Sequence, residues 1–314
     1  MPSAPRSTGA IRTSPTSGTT SATTTPPSAS ERPGVSESPR RVLIIGNLDN
    51  RRVTGFCAAL ARGGVGMTTV AYCAVAESGR TFSDQLVMRA ETVAPLRVLT
   101  DAVHEAGGAA AIQLAHCGGF SKDLANARRV PKGPLGPSLG LNLYGLLRGL
   151  IWTRPMSEAD IEAVIDQFAV AAERAVAAGF DAVELHLGHG YLLSQFLSPA
   201  INRRRDRWGG SLENRLRFTW RVLDAIRAAV GPDFIVGLRM VADEDWERGL
   251  SRAEGVEIAR RLAASGQVDF LNLIRGHIET DAALADVIPI QGMRSAPHLD
   301  FAGEVRAETG FPVL

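Results

Sequence analysis

From Arg41 onward, short apolar runs rich in β-branched residues alternate with longer Ala-, Arg- and Glu-rich stretches of helical spacing. The apolar runs predict strands at Val42–Ile45, Val65–Cys73, Ala109–Leu114, Asp181–Leu187, Phe234–Met240, Asp269–Ile274 and Phe311–Leu314. Between them, the spacing predicts helices at Thr92–Ala106, Ser157–Ala178, Leu212–Val230, Arg252–Ala264 and Leu299–Thr309. Strands that alternate with helices of this length argue for a parallel sheet with helical crossovers. No G-x-G-x-x-G follows the first strands, which argues against the dinucleotide site of an open doubly wound sheet. The better expectation is an α/β fold of the TIM (β/α)8 barrel type, with its chemistry at the C-terminal ends of the strands.

Local signals support the helix boundaries. Ser157 stands before Glu158 and Asp160, an N-cap with acids where the helix dipole favours them. Gly179 follows the same helix at a C′ position. Ser211 precedes Leu212 and Glu213 in the same way, and Ser251 has Glu254 at capping-box spacing.

Composition narrows the function classes. The chain carries 34 Lys and Arg against 33 Asp and Glu, a net charge of +1. That balance gives no electrostatic reason to expect a nucleic-acid partner or an anionic membrane. No apolar run approaches the roughly 18–20 residues that span a bilayer. The three cysteines, Cys57, Cys73 and Cys117, are far apart and odd in number. They suggest no disulfide framework or metal knuckle, and fit a reducing, cytoplasmic setting. The first thirty residues are dominated by Ser, Thr and Pro, a composition too poor in apolar side chains to offset its ordering entropy. Residues 1–40 are therefore expected to be a disordered tail, and 41–314 the folded domain.

Polar residues within apolar strands mark candidate chemistry, because burying them is costly without a partner. Gln113 lies near the end of one strand, and its amide suits the edge of a heterocycle. Loop backbone could equally satisfy it. Arg239, inside another strand, must meet an anion, a polar ring or a buried carboxylate such as Glu184 or Asp243. His186 lies at the end of a third strand, and His189 and Tyr191 follow it, set apart by glycines. Two imidazoles there can donate hydrogen bonds to a carbonyl oxygen that gains negative charge, and a tyrosine can deliver a proton. They can also be core or loop packing. Arg203 to Arg207 form a basic run with an internal acid, read best as a solvated loop with structural ion pairs.

The stretch His186–Phe218, HLGHGYLLSQFLSPAINRRRDRWGGSLENRLRF, resembles the signature of the old yellow enzyme family, the FMN-dependent NADH:flavin oxidoreductases. Ala61–Gly66, Gln113–His116, Gly136–Ser138 and Val236–Arg239 match further family segments in the same order, and Asp269–Leu314 is similar to the branch containing 2,4-dienoyl-CoA reductase and amine dehydrogenases. The resemblance implies FMN at the strand C-termini, with Gln113 and Arg239 on the flavin pyrimidine edge. It implies that His186 and His189 bind the substrate carbonyl oxygen and that Tyr191 gives a proton. NAD(P)H would be the electron donor and an enone or dienoyl ester the small-molecule substrate. It leaves the oligomeric state open.

The chain also departs from the family pattern. Gly119 stands where relatives have Arg. Arg41–Gly46 lacks the Pro-Met element that ends the relatives' first strand, which leaves strand one in doubt. The chain is expected to stop inside strand seven, so that strand eight and the phosphate loops are missing. Two other readings therefore stand beside the flavoenzyme: an inactive truncated or pseudoenzyme fragment that does not hold FMN, and a metal-dependent hydrolase using His186, His189 and Glu184.

Overall fold

The computed structural model describes residues 42–45, 50–124, 133–277 and 284–314, apart from 286, 289, 290 and 294. The stretch 1–40, expected to be a disordered tail, lies outside the described residues. Six parallel strands form the main sheet in the order β1-β2-β3-β7-β8-β9. They are Val42–Ile45 (β1), Met67–Ala74 (β2), Ala109–Ala115 (β3), Ala182–Leu187 (β7), Ile235–Asp243 (β8) and Phe270–Arg275 (β9). Spatial order follows chain order without a reversal, as in a barrel and unlike a doubly wound sheet. Val42–Ile45, whose strand character the sequence left in doubt, pairs with Met67–Val70. At the other side Leu271 bridges Val313, which places Phe311–Leu314 next in line. The fold is the TIM-barrel type, and among the described residues no hydrogen bonds close the sheet.

Helices cross between the strands: Asn50–Arg62 (α1), Ala90–Glu105 (α2), Glu158–Ala177 (α3), Leu192–Leu197 (α4), Leu212–Val230 (α5), Arg252–Ala264 (α6) and Leu299–Thr309 (α7). Helix α3 shows how sequence makes such an element. Ser157 caps it by accepting from the Asp160 amide, and Ile161, Val164, Ile165, Phe168, Ala171, Ala172 and Ala175 form one buried stripe. Two elements were not anticipated. Helix α1 has no acid in its first turn, and α4 is buried on every side, so it shows no amphipathic period. The excursion after β3 contains a second small sheet of Leu135–Gly136 (β4), Gly140–Leu141 (β5) and Trp152–Pro155 (β6).

Arg203–Arg207 secures that excursion. The Arg203 amide donates to Ser138 Oγ, and Arg204 donates to the carbonyls of Pro137 and Met156 while pairing with Asp206. Arg207 pairs with Glu158.

Helix α6 lies so close to β8 that a Cβ on Gly255 would stand 1.7 Å from the Ala242 carbonyl oxygen. Gly255→Ala would gain about 1 kcal/mol of helix propensity. The overlap is with backbone, so no rotamer change relieves it, and overpacking of this kind costs about 1–3 kcal/mol. The variant is expected to unfold at a lower urea concentration than the wild type. An unchanged midpoint would show that the helix can move off the strand freely.

Candidate active site

Parallel register brings the sequence-marked residues into rows. Gln113 on β3 lies opposite Glu184 on β7. His186 on β7 lies opposite Arg239 on β8, and Arg239 lies opposite Asn272 on β9. Because side chains alternate along a strand, residues 184, 186, 239 and 272 share the inner face.

Gln113 is buried and its amide is oriented from both sides. Its Oε1 accepts from the Tyr72 amide at 3.2 Å, and its Nε2 donates to Glu184 Oε1 at 2.5 Å. Tyr72 sits at a register shift of β2 with a left-handed φ of 29°, which turns its N–H toward the glutamine. The other oxygen of Glu184 accepts from Asn272 Nδ2 at 3.0 Å. Glu184 is 1% exposed, and burial raises its pKa against the opposing effect of these bonds and of Arg239.

Arg239 does not form the buried ion pair considered from sequence. Both Glu184 oxygens face amides, Asp243 pairs with Arg275, and the buried Nε of Arg239 has no hydrogen-bond partner. Burial lowers the Arg239 pKa, and the charge of Glu184 opposes that shift.

His186 and His189 face each other, with His186 Nε2 and His189 Nδ1 3.4 Å apart. His186 Nδ1 is buried without a partner. Burial and the Arg239 charge hold His189 down at about 3, and burial holds His186 well below the usual histidine value. Both rings are neutral at pH 7. His189 adopts a left-handed φ of 53°, followed by Gly190 at 71°, and this turn carries the chain from β7 toward α4. The Tyr191 ring lies 4.6 Å from that of His186, and its hydroxyl accepts from Thr81 Oγ1 at 3.3 Å. Burial pushes the tyrosine pKa upward, so the phenol keeps its proton.

Several residues of this region were not singled out from sequence. Gln195 ties the loops after β3 and β7 together: Oε1 accepts from the Gly119 amide, and Nε2 donates to the carbonyls of Cys117 and Gly190. Gly119 lies against Thr153, whose Oγ1 would be 2.6 Å from an added Cβ. That close approach leaves little room for a side chain at 119. Phe120 stacks on Tyr144 at 4.2 Å and tilts against Tyr191 at 6.2 Å, which forms an aromatic wall beside the histidines. Asn272 carried the same signal as Gln113, an amide inside an apolar strand. Thr81, Gln195, Phe120 and Tyr144 lie outside the main strands, and no local pattern marks them.

All three cysteines are free and buried, with Cys117 pushed up to about 12 by burial. Among the described residues no three His, Cys, Asp or Glu side chains converge as a metal would require. Likewise, no helix among them is long and apolar enough to cross a membrane.

A model of the NADH:flavin oxidoreductase / NADH oxidase family matches residues 45–283. The chain belongs to this family. It is 45% identical over 269 residues to a probable N-methylproline demethylase of Rhizobium meliloti (strain 1021), covering 85% of this chain and 38% of that protein. It is 41% identical over 223 residues to 4,4'-dithiodibutanoate disulfide reductase of Rhodococcus erythropolis, covering 70% of this chain and 53% of the relative. The chain thus spans about half or less of the length of these two relatives. A solved 2-naphthoyl-CoA reductase superposes with a TM-score of 0.76 at 26% identity, covering 87% of this chain and 43% of that one. Histamine dehydrogenase from Rhizobium sp. 4-9 gives a TM-score of 0.76 at 26% identity, with 87% and 39% covered.

Proposed function

We propose that residues 41–314 form an FMN-dependent oxidoreductase domain that uses NAD(P)H to reduce an activated C=C of an enone or dienoyl ester. The observation that carries this reading is Arg239: a half-buried guanidinium on the inner face, beside Gln113 and the histidine pair, with its Nε unpartnered. A buried donor without an acceptor in the protein fits a ligand that brings one. Gln113 and Arg239 would hold the polar edge of the flavin, Gln113 with its remaining N–H and Arg239 with its guanidinium. Positive charge there favours a more electron-rich ring. FMN, when bound, supplies hydride taken from NAD(P)H to the β-carbon of the substrate.

The protein's own residues manage oxygen and proton. His186 Nε2 and His189 Nδ1, 3.4 Å apart, are spaced so that both N–H groups can share one acceptor oxygen. Their neutrality means that each donates without leaving a buried cation behind. As hydride reaches the β-carbon, the carbonyl oxygen gains charge, and these donors hold it more tightly than in the ground state. Tyr191 then supplies the proton at the α-carbon.

The purified chain is expected to bind FMN and show flavin absorbance. Arg239→Leu removes charge-assisted hydrogen bonds, which are worth about 1.5–3 kcal/mol. It is therefore expected to weaken FMN binding by about 10- to 100-fold in a fluorescence titration. A variant that holds FMN as tightly as the wild type would return Arg239 to a purely structural role. A wild-type chain without flavin affinity would favour the inactive-fragment reading.

A second reading, oxidative N-demethylation, is favoured by the 45% identity to the probable N-methylproline demethylase. The neutral histidines suit it too, because they do not repel an amine. Anaerobic mixing separates the two: an enone reoxidises the reduced flavin, whereas N-methylproline reduces the oxidised one.

A further inference from the structure

We infer that Glu184 is a positioning residue for the flavin-facing groups: its carboxylate locks the amides of Gln113 and Asn272 and supplies the negative charge that offsets Arg239. This rests on the FMN reading above and assigns a task to a residue which that chemistry leaves unused. Glu184 is buried in the middle of β7, and each of its oxygens is held by an amide from a different strand. Its neighbour on β8 in the register is Gly237, which has no side chain to separate it from Asn272 on β9. A Cβ on Gly237 would stand 2.0 Å from the Phe270 ring, so that ring takes the place of a side chain at 237 and only glycine fits there.

The choice of a carboxylate follows from donor arithmetic. An ionised Glu accepts at both oxygens and presents no hydrogen, whereas Gln offers one oxygen and one NH2. With Gln at 184, an NH2 would face the NH2 of either Gln113 or Asn272, and Asn272 would have to turn its amide over to keep the contact. Gln113 is particularly constrained, because its oxygen already accepts from the Tyr72 amide. Glu184 thus fixes which end of the Gln113 amide points where, and leaves one N–H for the ligand. The same charge stands near a guanidinium with no ion pair of its own among the described residues.

FMN affinity and the flavin midpoint potential would be measured for the wild type, Glu184→Gln, Glu184→Asp and Asn272→Ala. Glu184→Gln removes one negative charge from the buried side of the site. It is expected to raise the reduced-to-oxidised ratio at a fixed potential by about tenfold, an upward shift of about 30 mV for a two-electron couple. Glu184→Asp restores the charge and should return the potential toward the wild-type value, an outcome that packing alone would not produce. Asn272→Ala keeps the charge and loosens the clamp, so FMN should bind several-fold more weakly at a near-wild-type potential. An unchanged Glu184→Gln potential overturns the charge role, and unchanged Asn272→Ala affinity overturns the clamp. If Glu184→Gln does not fold, Glu184→Ala removes the same charge and its potential decides that point, while Asn272→Ala still decides the clamp. A wild type that binds no FMN sinks the flavoprotein reading and this inference with it; binding by the wild type separates the two failures.

Discussion

Replacing His186 and His189 together by Ala is expected to lower kcat/KM for enone reduction by about 10²- to 10³-fold or more, with FMN still bound. The two rings meet through nitrogens 3.4 Å apart, a spacing suited to two donors on one oxygen. Loss of donors aimed at developing charge falls mainly on kcat, because they are worth more when the oxygen is anionic. Reduction of the bound flavin by NAD(P)H should be affected much less, since no substrate oxygen gains negative charge in that half-reaction. Stopped-flow absorbance resolves the two halves. Unchanged reoxidation by enone would leave the pair a packing role. Tyr191→Phe should show a milder loss confined to the same half-reaction, because solvent can replace a proton donor more easily than an oriented pair of hydrogen bonds.

Acid should destabilise the fold well above the pH at which carboxylates titrate. His116 is 1% exposed, and burial lowers it to about 4. In the unfolded chain it titrates near 6.5. Its contribution to stability is therefore fully present above about pH 6.5 and is lost progressively as pH falls toward 4, because only the unfolded state takes up the proton in that window. Integrated over it, the difference amounts to about 3 kcal/mol. His186 and His189 shift in the same direction and add to it. Urea midpoints measured between pH 7.5 and 4.5 should fall steeply below pH 6.5. His116→Gln should flatten part of that slope. A wild-type midpoint flat down to pH 4.5 would mean that these histidines take up protons in the native state.

Much of the scaffold was legible because its signals are local. Helices α5 and α6 start where spacing and capping serines place them, and α7 where spacing does, since caps and amphipathic stripes act within a turn or two of chain. Gln113, His186 and Arg239 were legible because a polar side chain inside an apolar strand must find a partner. The same reasoning applied to Asn272 would have added it. Arg239 shows the limit of that reasoning. Sequence left it to meet an anion, a polar ring or a carboxylate such as Glu184 or Asp243, and those carboxylates are engaged by Gln113, Asn272 and Arg275. Thr81 and Gln195 could not be found, because their partners lie 110 and 76–78 residues away and no periodicity links them.

Periodicity, caps and the contiguous His186–Phe218 stretch were enough to assign an α/β barrel of the NADH:flavin oxidoreductase kind and to name candidate site residues. Tertiary structure alone decided how those residues divide their hydrogen bonds. Strand register set Gln113 beside Glu184 and His186 beside Arg239, across separations of 71 and 53 residues. Register is chosen by the packing of whole faces of the sheet. No short window of sequence contains that energy, and so none reveals which donor is left free for a ligand.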